Sequence, residues 1–340
     1  MLRPSLMPTT VHLYDLKPPD RPRWVSGDQY PRALVRSLLS PWRGRPPGGL
    51  AKVTTNLGLG LSQIGQPFVL HSQPDLPPAG SLVGILHGPH DQVRRVAGST
   101  RCVTGVGVLD FPDQWPTMFA DTQAVFHLQA CQWAADYYRP YFGDHLRIWP
   151  VGIETERHRP RPDVTKEFDF LVYDKLRWPA EHPEPDLLER TLAEIKRRNL
   201  KHMVIGYGRY PKGRENSYHA LLARSRAVLF LCENETQGLA YNEALSMDIP
   251  LLAWDPGRWL DPNRHQHGLS NCPATSVPYF DGRCGEKFAD LAHLPSTLDL
   301  FLERQRSGCY RPREFVLENF DLGQCAQKYV RLLNQARDGI

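Results

Sequence analysis

The chain has 340 residues, of which 41% are hydrophobic and 23% charged, with a formal net charge of +4. At roughly 150 residues per domain this length predicts two domains, each large enough to bury a core. The composition excludes a disordered chain, and no stretch nears the roughly 18 apolar residues of a membrane span. Pro4 and Pro8 stand where a secretory signal would carry its apolar run, so a cytoplasmic location is expected.

A charge of +4 is too mild to argue for nucleic-acid binding. It is unevenly spread, however. Residues 1–52 hold nine Lys or Arg against three Asp, so an anionic partner, including a membrane surface touched peripherally, is expected to meet the chain there. The seven cysteines (Cys102, Cys131, Cys232, Cys272, Cys284, Cys309, Cys325) are widely spaced without a C-x-x-C, which predicts reduced thiols and no structural zinc.

In chain order, residues 11–14 read as a strand and the proline-rich stretch from Pro18 to Pro47 as a long loop. A helix opens at Gly48, with Leu50, Val53, Leu57, Leu61 and Ile64 recurring at three and four residues, and closes at Gly65. Strands follow at 68–71, 82–86, 102–108 and 124–128. Trp133, Tyr137, Tyr138 and Tyr141 stand at helical spacing and are expected in the core. After a proline-bounded crossing at 149–160, strands at 168–173, 202–206, 227–231 and 251–254 alternate with helices from Asp186, at 217–224 and at 238–247. Short apolar runs alternating with helical patterns predict parallel α/β units. A final helix is expected from Phe315 through Leu333.

Residues 231–253 carry the strongest chemical signal. A strand feeds a turn bearing Glu235 and Gly238, then a helix whose second turn carries Glu243. Amides at such a helix start suit a phosphate, while the carboxylates suit hydroxyl donors of a sugar or ribose. The pattern therefore predicts a sugar nucleotide. Glu235-x7-Glu243, with Gly238, Leu239 and Ala244 inside it and Ile249-Pro250 closing it, resembles the E-x7-E signature of retaining GT-B glycosyltransferases, the group 1 family. Residues 150–155 resemble that family's interdomain crossing, residues 47–50 its Gly-Gly loop, and the last helix the one that crosses back to the first domain.

The resemblance implies an α/β, GT-B-like fold, two Rossmann-like domains facing a central cleft. Residues 1–150 would form the acceptor side, 151–314 the nucleotide-sugar side and 315–340 the returning helix. It implies transfer of a hexose, with retention and without a metal or other cofactor, from a nucleotide diphosphate sugar to a hydroxyl of a glycan, glycolipid or protein. Glu243 would hold the donor's ribose and Glu235 its sugar, with Thr236, Gln237, Gly238 and Leu239 lining sugar and diphosphate, and Gly48 and Gly49 letting the backbone approach closely.

The family also carries an Arg and a Lys five residues apart; Lys175 matches the first, Ala180 falls on the second, and Arg177 is the candidate substitute. Cys232 stands where the family usually has Ser. A sugar-placing histidine is implied at a first-domain strand end, where His87, His90 and Asp110 remain alternatives. His265 and His267 are not expected to hold a metal. Two rival readings are a non-catalytic module binding a nucleotide sugar or glycan, and another enzyme of this fold, such as a sugar-nucleotide epimerase or a phosphorylase.

Overall fold

The computed structural model describes residues 9–17, 49–206, 211, 213–269 and 271–339. Most of the basic segment 1–52, and Gly48, lie outside the described residues. Strand β1 (Val11–Asp15) leads to helix α1 (Gly49–Gln63), β2 (Phe68–His71), β3 (Leu82–His87), α2 (His90–Ala97), β4 (Cys102–Gly107), α3 (Met118–Asp121), β5 (Ala124–Gln129), α4 (Gln132–Phe142) and β6 (Leu146–Ile148). The second half runs β7 (Phe168–Asp174), α5 (Leu187–Arg197), β8 (His202–Gly206), α6 (Tyr218–Ala223), β9 (Ser225–Leu231), α7 (Leu239–Ser246), β10 (Leu251–Trp254), β11 (Gly285–Phe288), α8 (Leu294–Arg306), α9 (Pro312–Asn319) and α10 (Leu322–Asp338).

All pairings are parallel, in a six-stranded sheet of order β2-β1-β3-β4-β5-β6 and a five-stranded sheet of order β11-β10-β9-β7-β8. Helices cover both faces of each sheet, so the central strands are apolar on both sides. Val228, Leu229, Phe230 and Leu231 of β9 are all buried. Strand order reverses between β1 and β3 in the first sheet and between β7 and β9 in the second. Such a reversal opens a crevice at the carboxyl ends of the strands, where α/β proteins bind ligands. The fold is thus α/β, two Rossmann-like units each built on a parallel sheet.

The single terminal helix expected over 315–333 is in fact two. Phe320 leaves helical geometry at the end of α9, and Asp321 starts α10 by accepting the Gln324 amide at 2.9 Å. Helix α10 then lies on the first sheet, where the Tyr329 ring meets Trp149 at a 52° tilt with centroids 4.7 Å apart, and Trp149 donates to the Cys325 carbonyl at 2.9 Å. Gly60 makes the approach of α1 to α10 possible. A Cβ there would stand 2.5 Å from the Leu322 carbonyl oxygen, so only glycine lets the two backbones touch.

Elements α2, α3, β6, β11 and α8 have no counterpart among the elements expected from sequence. They are short, or follow the irregular run 255–284, where no periodicity accumulates. No helix among the described residues is long and apolar enough to cross a membrane.

Candidate active site

Strand β9 ends at Leu231, and the next three residues, Cys232, Glu233 and Asn234, stay buried. Glu235 is half-buried and Thr236 exposed. Gln237 turns inward to accept the Val151 amide at 3.3 Å, tying this turn to the crossing between the sheets. Gly238 caps α7 in the left-handed conformation (φ 64°), and a Cβ on it would stand 2.5 Å from a Tyr241 ring carbon. Conformation and space both demand glycine. Leu239 opens the helix nearly buried, with Glu243 one turn further on.

Each glutamate of the motif faces a lysine. Lys175, just past β7, pairs with Glu235; the Cys232 thiol sits 3.7 Å from the same carboxylate oxygen, and burial lowers the Lys175 pKa. Lys52, on the first turn of α1, crosses from the first sheet's unit to pair with Glu243, a side chain only 4% exposed. His158 Nε2 lies 3.6 Å from that carboxylate, and burial drives the imidazole down to about 3, leaving it neutral. Burial raises the Glu243 carboxyl while Lys52 opposes the shift.

The loop bearing Lys175 is held by a residue outside the E-x7-E motif. Glu233 is fully buried and accepts the Arg177 amide at 2.5 Å, the Trp178 amide at 3.0 Å and His182 Nε2 at 2.9 Å. Burial by itself would raise this carboxyl, yet the donors from His182 and the two amides hold it below its ordinary value. Arg177 directs its guanidinium to the Asn234 carbonyl at 3.3 Å and stacks over Trp178 at 4.3 Å, so it belongs to the same strand-end cluster. Ala180 lies in the short 3₁₀ turn Pro179–Glu181 and brings no charge.

At the facing switch point, His87 Nδ1 approaches Asp15 at 3.7 Å, joining the ends of β3 and β1, and Thr54 of α1 also donates to Asp15 at 3.3 Å. His90 is instead exposed against Trp115 at 5.5 Å and stays out of this cluster, whereas Asp110, exposed with its amide on Gln114, adds a weaker negative charge that favours the His87 cation. Asp15 raises the His87 pKa above 6.5, and His87 lowers that of Asp15 below 3.8. The His87 contribution to stability is complete below pH 6.5 and fades as pH climbs through its raised value. The Asp15 contribution is complete above pH 3.8 and fades as pH falls through its lowered value. Asp15→Asn is therefore expected to lose more stability against the parent chain at about pH 5.5 than at about pH 8.5 in urea unfolding. Equal losses at both pH values would mean His87 is uncharged in the fold.

The aromatic stripe does more than fill a core. Trp133 donates to the Glu235 carbonyl at 2.8 Å and meets Trp259 edge-on, while Tyr141 is 44% exposed. Phe111 stacks on His267 at 3.7 Å, and His267 also reaches Asp113 at 2.7 Å, so ring contacts clasp the two units beside the motif. His265 turns away to Glu181 at 3.6 Å. Among the described residues no group of three or more His, Cys, Asp or Glu is placed to hold a metal ion. Gly49 starts α1 with open space where a Cβ would stand.

Buried polar atoms without a hydrogen-bond partner gather at this place: Glu233 Oε2, Asn234 Oδ1 and Asn242 Oδ1, with His158 Nδ1 behind Glu243. Of these, Glu233 Oε2 faces the Arg177 guanidinium at 3.7 Å, and an acceptor left unpaired in a folded interior is costly.

No family model and no curated protein matches the chain. Solved structures do. AviGT4, a glycosyltransferase involved in avilamycin A biosynthesis, aligns over 98% of this chain and 99% of its own at 16% identity, with a TM-score of 0.53. The catalytic domain of starch synthase IV from Arabidopsis thaliana, solved with ADP and acarbose, aligns over 84% of this chain and 76% of its own at 12% identity, with a TM-score of 0.51. At these identities the likeness is one of fold.

Proposed function

We propose that the chain is a retaining glycosyltransferase that moves a hexose from a nucleotide diphosphate sugar to a hydroxyl acceptor, without a metal ion. The observation that carries this reading is the placement of two glutamates, eight residues apart, at the switch point of the second sheet, Glu235 paired with Lys175 of the same unit and Glu243 with Lys52 from the other. Glu243 would take the ribose hydroxyls, and Glu235 the hydroxyls of the sugar. Lys175 lies between Glu235 and the carboxyl end of β7, where the diphosphate of a donor so placed would gain negative charge as the glycosidic bond breaks. The transition state would be oxocarbenium-like, as in glycosidases, and closure of the cleft would exclude the water that competes with the acceptor. His87, paired with Asp15 on the opposite wall, is the proposed contact from the first unit to the sugar. The starch synthase solved with ADP and acarbose supports a nucleoside diphosphate and a glycan as occupants of a cleft of this kind.

A thermal-shift panel of UDP, GDP, ADP, CMP and TDP tests the reading. One of the diphosphates is expected to stabilise the chain by about 2.7 kcal/mol at 100 times its dissociation constant, equally in EDTA and in magnesium. A shift that needs magnesium would remove metal independence, and no shift with any diphosphate would remove the donor site. A binding module without turnover is the second reading, favoured by Ala180 standing where the resembled family carries a lysine. Product formed faster than the donor hydrolyses unaided excludes it.

A further inference from the structure

Glu243 is a buried carboxylate whose charge is met from the other side of the cleft. Among the described residues Lys52 is the one cation in direct contact with it, because His158, its other neighbour, is neutral. Arg157, nearby in the chain crossing, is engaged with Glu154 at 3.4 Å. The Lys52 side chain is 27% exposed, so its ammonium reaches the carboxylate from the open side and has water to retreat into. It stands three residues into α1, whose first turn holds no acidic residue to compete for it. The ribose of a nucleotide and Lys52 would therefore compete for the same carboxylate, a side chain only 4% exposed.

A vicinal diol offers two O–H donors to a carboxylate and needs no charge of its own. A diphosphate brought in on the same ligand adds negative charge beside Glu243, and a cation released at that moment is attracted to it. Lysine suits such a change of partner, being a compact charge on a flexible four-carbon stem.

Resting on the donor site proposed above, we infer that Lys52 is an exchanging counter-ion: it neutralises Glu243 in the empty cleft, and passes to the donor's diphosphate once the ribose hydroxyls occupy Glu243. Lys52 thereby acts as a positioning residue in the empty state and as a second phosphate contact, beside Lys175, in the loaded one. It occupies a different segment and a different unit from Ala180, so the cation is supplied across the cleft.

The exchange makes two ligands respond to one substitution with opposite signs. By calorimetric titration of the full chain, Lys52→Met is expected to bind the diphosphate picked by the panel about tenfold more weakly than the parent chain, for the lost phosphate contact. The matching uncharged nucleoside is expected to bind the same variant at least about threefold more tightly, because its hydroxyls no longer displace an ion pair. Lys52→Arg, which keeps the charge, returns both affinities toward the parent values. Lys52→Gln reads the same two ligands should the methionine variant fail to fold. Losses of equal sign for both ligands, or no change in either, overturn the exchange while leaving the donor site standing. If the parent chain binds no diphosphate, the donor site itself falls and the exchange with it.

Discussion

Lys175→Ala is expected to lower the turnover of sugar transfer by about two to three orders of magnitude while changing diphosphate affinity less than about tenfold. The reason is the timing of charge. A leaving diphosphate carries more negative charge in the transition state than in the bound donor, so a preplaced cation is worth most there, and removing one such electrostatic contact typically costs about 10²–10³ in kcat. Lys175 is already desolvated and fixed by Glu235, so it has little reorganisation to undergo as the charge develops. Arg177→Ala is the control, since its side chain is 41% exposed, with the guanidinium over Trp178 and 3.7 Å from Glu233. Single-turnover kinetics with saturating donor separate the two variants, and a larger loss for Arg177→Ala would transfer the leaving-group role to Arg177.

What the sequence made legible follows from how local each signal is. Strands β7, β9 and β10 are buried on both faces, so each reads as an apolar run, and the turn between β9 and α7 compresses Glu235, Gly238 and Glu243 into nine residues. That stretch identified itself. The cation and the indole donor that complete it come from far along the chain: Lys52 meets Glu243 across 191 positions, and Trp133 meets Glu235 across 102. No periodicity or motif spacing encodes a contact of that range. Glu233 was passed over because a carboxylate at a strand end looks solvated in sequence, whereas here Arg177, Trp178 and His182 turn over it. Its signal, if any, is the string of polar residues from Glu233 to Gln237 immediately after a fully apolar strand. The choice among His87, His90 and Asp110 was equally closed to sequence, since only pairing with Asp15 at the end of β1 distinguishes His87. The break at Phe320 is marked in sequence only by Asp321, a capping residue type, and by Gly323 two positions on, single-residue signals that also occur within continuous helices.

The glutamate pair yields the second large effect, through two phenotypes that must differ. Glu243→Ala is expected to weaken the free nucleoside diphosphate by about 1.5–3 kcal/mol, the usual worth of hydrogen bonds to a charged group, or roughly 10- to 100-fold. Because ribose contacts change little between ground and transition states, kcat at saturating donor should move far less than affinity does. Glu235→Ala is expected to do the reverse. Its partner is the transferred sugar, so the free diphosphate should bind within about threefold of the parent chain, while transfer falls by about 10²-fold or more. The structure adds a check within each variant. Glu235→Ala leaves Lys175 desolvated without its carboxylate, so a diphosphate that supplies the missing charge should if anything bind more tightly. Titration of both variants with the free diphosphate and with the intact sugar nucleotide resolves the four cases. Identical losses for both variants and both ligands would reduce the pair to a structural element shaping the start of α7, because a helix start senses neither which ligand is present nor whether a sugar is attached to it.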